Sequence, residues 1–246
     1  IWSGSEGMGI EFRDAAGTTS RGEFTIAGVN MDTRVLTLSA SAATAGVVAT
    51  DIFWRKGAFG KEFPGIHKIL TQSSGLLFNI NVGTYALWRG NNYSASSGAL
   101  SFTKLNQATA RAVEKGLDSK LLALVNPRGW GNLLNDQAAL RKFDGSYSSA
   151  KMENGSKAIQ FFSQNGEIEI EPSIYVKEGY AYLLSIEEWT RVGSQDVSFK
   201  VPGRGDEFFR QLENAAGYEL RLYTDQAVFT SAPGRNVLIS SIVNQQ

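Results

Sequence analysis

The chain has 246 residues, with 24 basic and 24 acidic side chains that cancel, so no net field draws it to nucleic acid or to an anionic membrane. It has no cysteine and one histidine, which excludes disulfides, thiolate metal sites and a histidine-built zinc site. The apolar fraction of 42% and charged fraction of 20% are those of an ordinary globular protein of one large or two small domains, and no run of about 18 apolar residues exists to cross a bilayer. The sequence opens on Ile1 instead of Met, which suggests a processed product or a fragment.

Residues 1–70 read as a small β module. Ile10-Glu11-Phe12, Glu23–Val29, Arg34–Ser39 and Thr50–Trp54 are short strands, the middle two joined by the turn-prone Asn30-Met31-Asp32. Gly57–Gly65 is a glycine-punctuated loop, and the module boundary is expected near Gly65–Ser74. Ser73–Gly98 looks irregular. A helix is predicted from Phe102 to Lys115, with Ser101 as cap, Phe102, Leu105, Ala108, Thr109 and Ala112 on one face, and Gly116 as stop. Leu121–Val125 is a buried strand. Asn126-Pro127 starts a second helix with Trp130, Leu133 and Leu134 facing inward.

Asp144–Ser149 reads as an exposed loop. Next, Ile168, Ile170, Ile174 and Val176 are placed on one face of a strand pair and Glu167, Glu169 and Glu171 on the other, with Lys177-Glu178-Gly179 as the hairpin turn and Ala181–Ile186 returning. Phe208, Phe209 and Leu212 form a further β segment, separated by Asn214–Gly217 from a strand in which Tyr218, Leu220 and Leu222 alternate with polar residues as a half-buried strand would. The apolar run Ala227–Phe229 suggests a bulge or a segment covered on both faces. Ala232–Arg235 is a turn and Val237–Ile239 a last apolar strand, so the end of the chain is expected to form one closing sheet. Mixed strands and helices make the class α+β.

These C-terminal runs, PGRGDEFF (Pro202–Phe209) and GYELRLYTDQAVF (Gly217–Phe229) followed by NVLI (Asn236–Ile239), resemble those of major capsid proteins of tailed bacteriophages. Leu121–Leu134 (LLALVNPRGWGNLL) and Ile168–Leu184 (IEIEPSIYVKEGYAYLL) resemble the same family, and the likeness runs from about Leu100 to Val243. It implies the Hong Kong 97-type fold: an axial domain at about 71–201, C-terminal strands at 202–246 shared between a peripheral sheet and the axial domain, and an N-terminal small β module. The family's N-terminal arm, extended loop and long spine helix have no counterpart before Phe102, so the resemblance implies a C-terminal portion, and crosslinking chemistry is not carried over. The implied function is a structural subunit, not an enzyme, that forms hexamers and pentamers of a head around double-stranded DNA. Its implied partners are copies of itself, scaffold, portal or decoration proteins and, non-specifically, the packaged DNA, with no membrane and no cofactor.

The residues offer little chemistry. His67 has no serine motif near it to make a nucleophilic triad, and a structural role suits it better. Glu167, Glu169 and Glu171 lie about 6–7 Å apart along a strand, which fits a solvated acidic face or one meeting basic groups of a neighbouring subunit better than a glycosidase pair. Gly57–Lys61 lacks the phosphate-loop spacing, and Arg204-Gly205-Asp206 is a tripeptide that recurs by chance. Candidate subunit-interface residues are Trp88, Arg89, Tyr147, Glu167, Glu169, Glu171, Arg204 and Asp206, because tryptophan, tyrosine and arginine dominate interfaces and charges set their pairing. The loop Phe143–Ser156 is expected near a capsomer axis or a subunit seam. Trp130 and Trp189 are expected in the core. The alternative from another class is a carbohydrate- or receptor-binding β module of a phage tail or fibre, using Tyr85, Trp88 and Tyr93.

Overall fold

The structure, a computed structural model, describes residues 5–33, 35–134, 136, 159–163, 166–201, 203–204 and 208–244. The chain divides into two compact units, Ile1–Glu62 and Phe63–Gln246.

The first unit is a four-stranded antiparallel sheet made of β1 (Gly9–Arg13), β2 (Ser20–Asn30), β3 (Val35–Leu38) and β4 (Ile52–Arg55), in the order β3-β2-β1-β4. Period-two alternation sends Ile10, Phe24 and Ile26 to one face, where Phe12, Leu36, Leu38, Ala45 and Val47 close over them. Phe12 meets Phe24 edge to face at 5.6 Å. The other face buries Glu11, which is held by Arg13 at 2.7 Å, and the Arg13 guanidinium lies 4.0 Å from the Phe59 ring. Asp14 accepts the Thr18 hydroxyl at 2.7 Å and the Thr18 and Thr19 backbone N–H groups at 2.6 and 3.1 Å, which fixes the β1–β2 turn; the Thr18 hydroxyl first, then the Thr19 N–H, lower its pKa to about 2. The strands expected here are present. The unit ends at Glu62, earlier than residue 70, because α1 (Ile66–Thr71) buries Ile69 and Leu70 in cores of the second unit.

The second unit is organised on a six-stranded mixed sheet. After α1 come the short strands β5 (Leu76–Leu77) and β6 (Ile80–Asn81), then β7 (Asn91–Gly98), α2 (Phe102–Val113), β8 (Leu121–Val125) and α3 (Pro127–Leu134). β9 (Ile159–Ser163), β10 (Gly166–Pro172), β11 (Ala181–Leu184), β12 (Trp189–Ser198), β13 (Phe209–Gln211), β14 (Tyr218–Leu220), β15 (Tyr223–Thr230) and β16 (Val237–Ile242) follow. The large sheet runs β7-β16-β11-β8-β10-β9, with β7 parallel to β16 and β8 parallel to β10.

Helices cover both faces of this sheet. On one, Phe102, Leu105, Ala108 and Ala112 of α2 pack on Val237, Ile239, Ala123, Val125, Ile168, Ile170 and Leu183. On the other, Leu70 of α1 packs with Val176, Tyr182, Leu184 and Leu238. The Ser101 hydroxyl caps α2 by accepting the Lys104 N–H at 3.3 Å, and Gly116, at φ +87°, lets the chain turn away where a side chain would be strained. Asn126 starts α3 by accepting the Arg128 N–H at 3.0 Å.

Several expectations are corrected. Ser73–Gly98 is not irregular: it holds β5, β6 and β7, the last a polar strand that hydrogen-bonds in parallel to β16. β10 and β11 do not form a hairpin, because β8 lies between them. Ile174 and Leu134 face outward. The C-terminal strands do not close one sheet: β13 pairs with β14, β15 with β12, and β16 enters the six-stranded sheet.

A buried polar lock holds β16 in place. The Asn236 side chain accepts from the Ser185 N–H at 2.9 Å and the Trp189 indole N–H at 2.8 Å, and it donates to the Ala232 carbonyl at 2.9 Å. Asn91 donates to the carbonyls of Gly234 at 2.6 Å and Asn236 at 3.1 Å. Removing one partner leaves buried donors unpaired. We predict that Asn236→Ala lowers the unfolding free energy by about 2–4 kcal/mol, read from the urea midpoint; an unchanged midpoint would show that the lock is not structural.

Candidate functional site

The exposed apolar surface with the clearest construction is the excursion between β11 and β16. β12 and β15 form an antiparallel ribbon whose register slips between Val192 and Gln195 and again between Gln195 and Ser198. At the slip, a Cβ on Gly193 would sit 1.9 Å from the Asp225 carbonyl oxygen, so only glycine fits. The root of the ribbon is fixed by the Trp189–Asn236 hydrogen bond, by Arg235, which reaches Glu188 at 2.6 Å and Asp118 at 2.9 Å, by the Ser231 hydroxyl donating to Glu188, and by Phe229, whose ring meets Phe78 at 4.8 Å.

At the far end, β13 and β14 pair as a hairpin with two unlike faces. Phe209 lies opposite Leu220 and Gln211 opposite Tyr218, while Arg210 lies opposite Glu219 on the reverse side. The polar side is charged, with Glu219 meeting Arg221 at 2.6 Å and Arg210 at 3.9 Å. The apolar side is bare: Phe209 is 64% exposed, Tyr218 74% and Leu220 50%, with Leu222 following at 60%. The alternation of Tyr218, Leu220 and Leu222 therefore points outward, the reverse of the half-buried expectation. A hairpin with strands of three residues each is marginal by itself and gains stability only when its apolar face is covered.

The interface candidates read from the sequence do not converge on one place. Trp88 is half-buried, donates its indole N–H to the Leu77 carbonyl at 3.2 Å and packs on Ile69, Leu77 and Val82. The Arg89 carbonyl receives the Lys115 ammonium at 2.7 Å, and burial followed by the Arg89 charge lowers the Lys115 pKa. Glu167, Glu169 and Glu171 share the outer side of β10, with Glu167 3.5 Å from Lys120 and Glu169 exposed. Arg204 lines a shallow depression of about 150 Å³ with Val201, Phe209 and Arg210, beside the hairpin. Tyr147, Asp206 and the whole loop Phe143–Ser156 lie outside the described residues, as does Gly205 of the tripeptide.

For a carbohydrate platform, Tyr85 is exposed, but the Trp88 ring is packed, the Tyr93 hydroxyl donates to Gln107 at 2.5 Å, and the Arg111 guanidinium lies over the Tyr93 ring. Trp130 and Trp189 both pack against cores, as expected. Sequence reasoning did not single out Phe209, Tyr218, Leu220 and Leu222 as an exposed apolar face. The signal was available in the polar Arg210, Glu219 and Arg221 interleaved with them, but alternation gives the period of a face and not which side is buried.

His67 is structural. Its Nδ1 lies 3.1 Å from the Tyr182 hydroxyl and its ring meets Tyr180 edge to face at 5.0 Å. Burial and then the Lys177 charge push its pKa below the ordinary 6.5, and burial followed by the Tyr180 charge raises Tyr182 to about 12. Among the described residues, no group of three or more histidine or acidic side chains gathers to hold a metal ion.

Compared by sequence, the chain matches no family model and no curated protein. Compared by structure, it is similar to a chain of the cyanophage A-1(L) capsid asymmetric unit, with a TM-score of 0.50 and 12% identity over 73% of this chain and 60% of that one. It is also similar to a chain of the holo-SrpI encapsulin complex from Synechococcus elongatus PCC 7942, with a TM-score of 0.41 and 12% identity over 74% and 61% of the two chains. The chain thus spans about 60% of the length of the structures it matches. At this identity the first likeness speaks for the fold alone, and that fold is Hong Kong 97-like, in line with the resemblance of the C-terminal half.

Two outcomes follow from these contacts. Gly193→Ala is expected to speed amide exchange along β12 and β15 while leaving the six-stranded sheet unchanged; equal protection in both would mean that the ribbon absorbs the Cβ. Because the fold prefers neutral His67, its contribution is complete above pH 6.5 and is lost as pH falls through the lowered value. His67→Gln should therefore flatten the stability-against-pH curve between pH 6.5 and the lowered value in thermal unfolding, and an unaltered slope there would assign the acid sensitivity to other groups.

Proposed function

We propose that the chain is the structural subunit of a bacteriophage head, self-assembling into the hexamers and pentamers of an icosahedral shell around double-stranded DNA. The observation that carries this reading is the β13–β14 hairpin, ion-paired on one side and bare and apolar on the other. Apolar surface held out on a fixed stem is stabilised by burial against another protein surface, at roughly 25 cal/mol per Å². The likeness in fold to a capsid chain supports the choice of another subunit as that surface.

In this reading the six-stranded sheet with α1–α3 is the axial domain, the ribbon and hairpin belong to the peripheral sheet, and β16 returns the chain to the axial body. The cancelling charge suits a protein packed in many copies, because charges of both signs can pair across each seam. The acidic side of β10 is a further seam between subunits in this reading, and the loop 143–156 belongs near a capsomer axis or at a subunit seam. Scaffold, portal and decoration proteins are the other partners of such a head, contact with packaged DNA is non-specific, and the mature subunit resides in the virion.

Electron microscopy and light scattering of the purified chain test this. Rings or shells are expected, and the double variant Phe209→Ser with Tyr218→Ser should cut the assembled fraction by about tenfold or more while its melting temperature stays within about 2 °C. A chain that remains monomeric and binds sugar instead would favour the tail- or fibre-module reading.

A further inference from the structure

The six-stranded sheet ends on β7, which among the described residues is paired on one side only, to β16. Each residue of a strand sends both of its backbone polar groups to one side, and successive residues alternate. The Asn91 N–H goes to the Asn236 carbonyl, so Asn91 and Tyr93 address β16 while Asn92 and Ser94, both exposed, turn their backbone groups away from the sheet. Such a margin is a template on which another chain can add a strand. Here α2 runs along it in the opposite direction and lays a stripe of long side chains over it. Lys104, Gln107 and Arg111 share one side of the helix, and Lys115 follows a turn later. In that order, the Lys104 ammonium donates to the Ala99 carbonyl at 2.6 Å, and Gln107 accepts the Tyr93 hydroxyl at 2.5 Å. The Arg111 guanidinium donates to the Asn92 carbonyl at 2.5 Å, and the Lys115 ammonium to the Arg89 carbonyl at 2.7 Å. Gly98 leaves room for this, because a Cβ there would collide with the Lys104 ammonium. Ser96 and Ser97, at φ +53° and +57°, then take the edge out of strand geometry where its register on β16 slips.

We propose that this stripe is an edge guard: Lys104, Arg111 and Lys115 hold carbonyls along residues 89–99 and so deny β7 to a strand from a second copy of the chain. The inference goes beyond the shell reading, because it concerns a contact that the fold prevents, whether or not a shell forms. An added strand would need the Asn92 carbonyl as acceptor, and a charged donor, which makes the stronger kind of hydrogen bond, already occupies it. The same strand would have to lift the Arg111 guanidinium from its place 5.1 Å from the Tyr93 ring. Pairing of β7 with β7 of another copy would also bring two sets of like charges together, which opposes it further.

The triple variant Lys104→Met, Arg111→Met and Lys115→Met keeps the apolar stems and removes the donors. It is compared with the parent chain and with a control of equal charge loss at exposed positions, Lys61→Met, Lys68→Met and Lys120→Met, by sedimentation and amide hydrogen exchange. The stripe variant should self-associate at a concentration about tenfold or more below that of the parent or the control. In its associated form the Asn92 and Ser94 amides should exchange about tenfold or more slowly than in the monomer. Should the triple variant not fold, Arg111→Met alone, at an exposed position, should protect the same two amides. Association no stronger than that of the control would overturn the proposal. So would association that leaves the Asn92 and Ser94 amides fast, or protection of those amides in particles of the parent chain. Parent particles built through the hairpin leave both amides fast, so failure of the edge guard is told apart from failure of the shell reading.

Discussion

The second unit depends on one constraint: β16 must be covered on both faces. Val237, Leu238 and Ile239 are fully buried in succession, so Val237 and Ile239 enter the core under α2 while Leu238 enters the one under α1. A strand of this kind cannot sit at a margin, and its neighbours are fixed on both sides, β7 in parallel and β11 antiparallel. Because β11 precedes the ribbon and β16 follows it, the excursion leaves and re-enters the body at adjacent strands. Asn236 joins the two points, bonding at once to Ser185 beside β11 and to Trp189 at the start of β12.

That anchoring gives the exposed hairpin its meaning. On a loose loop, exposed Phe209 and Tyr218 would fold back on themselves. They stand instead on a ribbon whose root is held by Trp189, Glu188, Arg235 and Phe229. On the reverse side Glu219 pairs closely with Arg221 and more loosely with Arg210, so that side carries charge and not apolar surface. The exposed face of the hairpin thus depends on packing far from it in sequence.

The sequence made some of this legible and not the rest, for physical reasons. α2 carried its cap, its apolar stripe and its glycine stop within 16 residues, Ser101 to Gly116, all of them local signals. β8 and β16 were plain as apolar runs. β7 was hidden because Asn91, Asn92, Ser94, Ser96 and Ser97 have little strand preference; it is a strand because β16 offers it an unpaired edge. The β10–β11 relation was misread because the local pattern cannot show that β8 is inserted between them. At the hairpin the period was read correctly and its sign was not, since burial of one side or the other depends on what lies across the sheet. The same distinction explains why structure finds a likeness where sequence models find none: at 12% identity, what persists is the pattern of covered faces, not the residues that cover them.

Hydrogen exchange, compared between the monomeric chain and its assembled form, tests the central claim most directly. The amides of β16 and β11 should be protected in both states, while those of Phe209–Leu222 should exchange quickly in the monomer and slow by orders of magnitude only on assembly. Protection of the hairpin already present in the monomer, or none gained in the particle, would contradict the account.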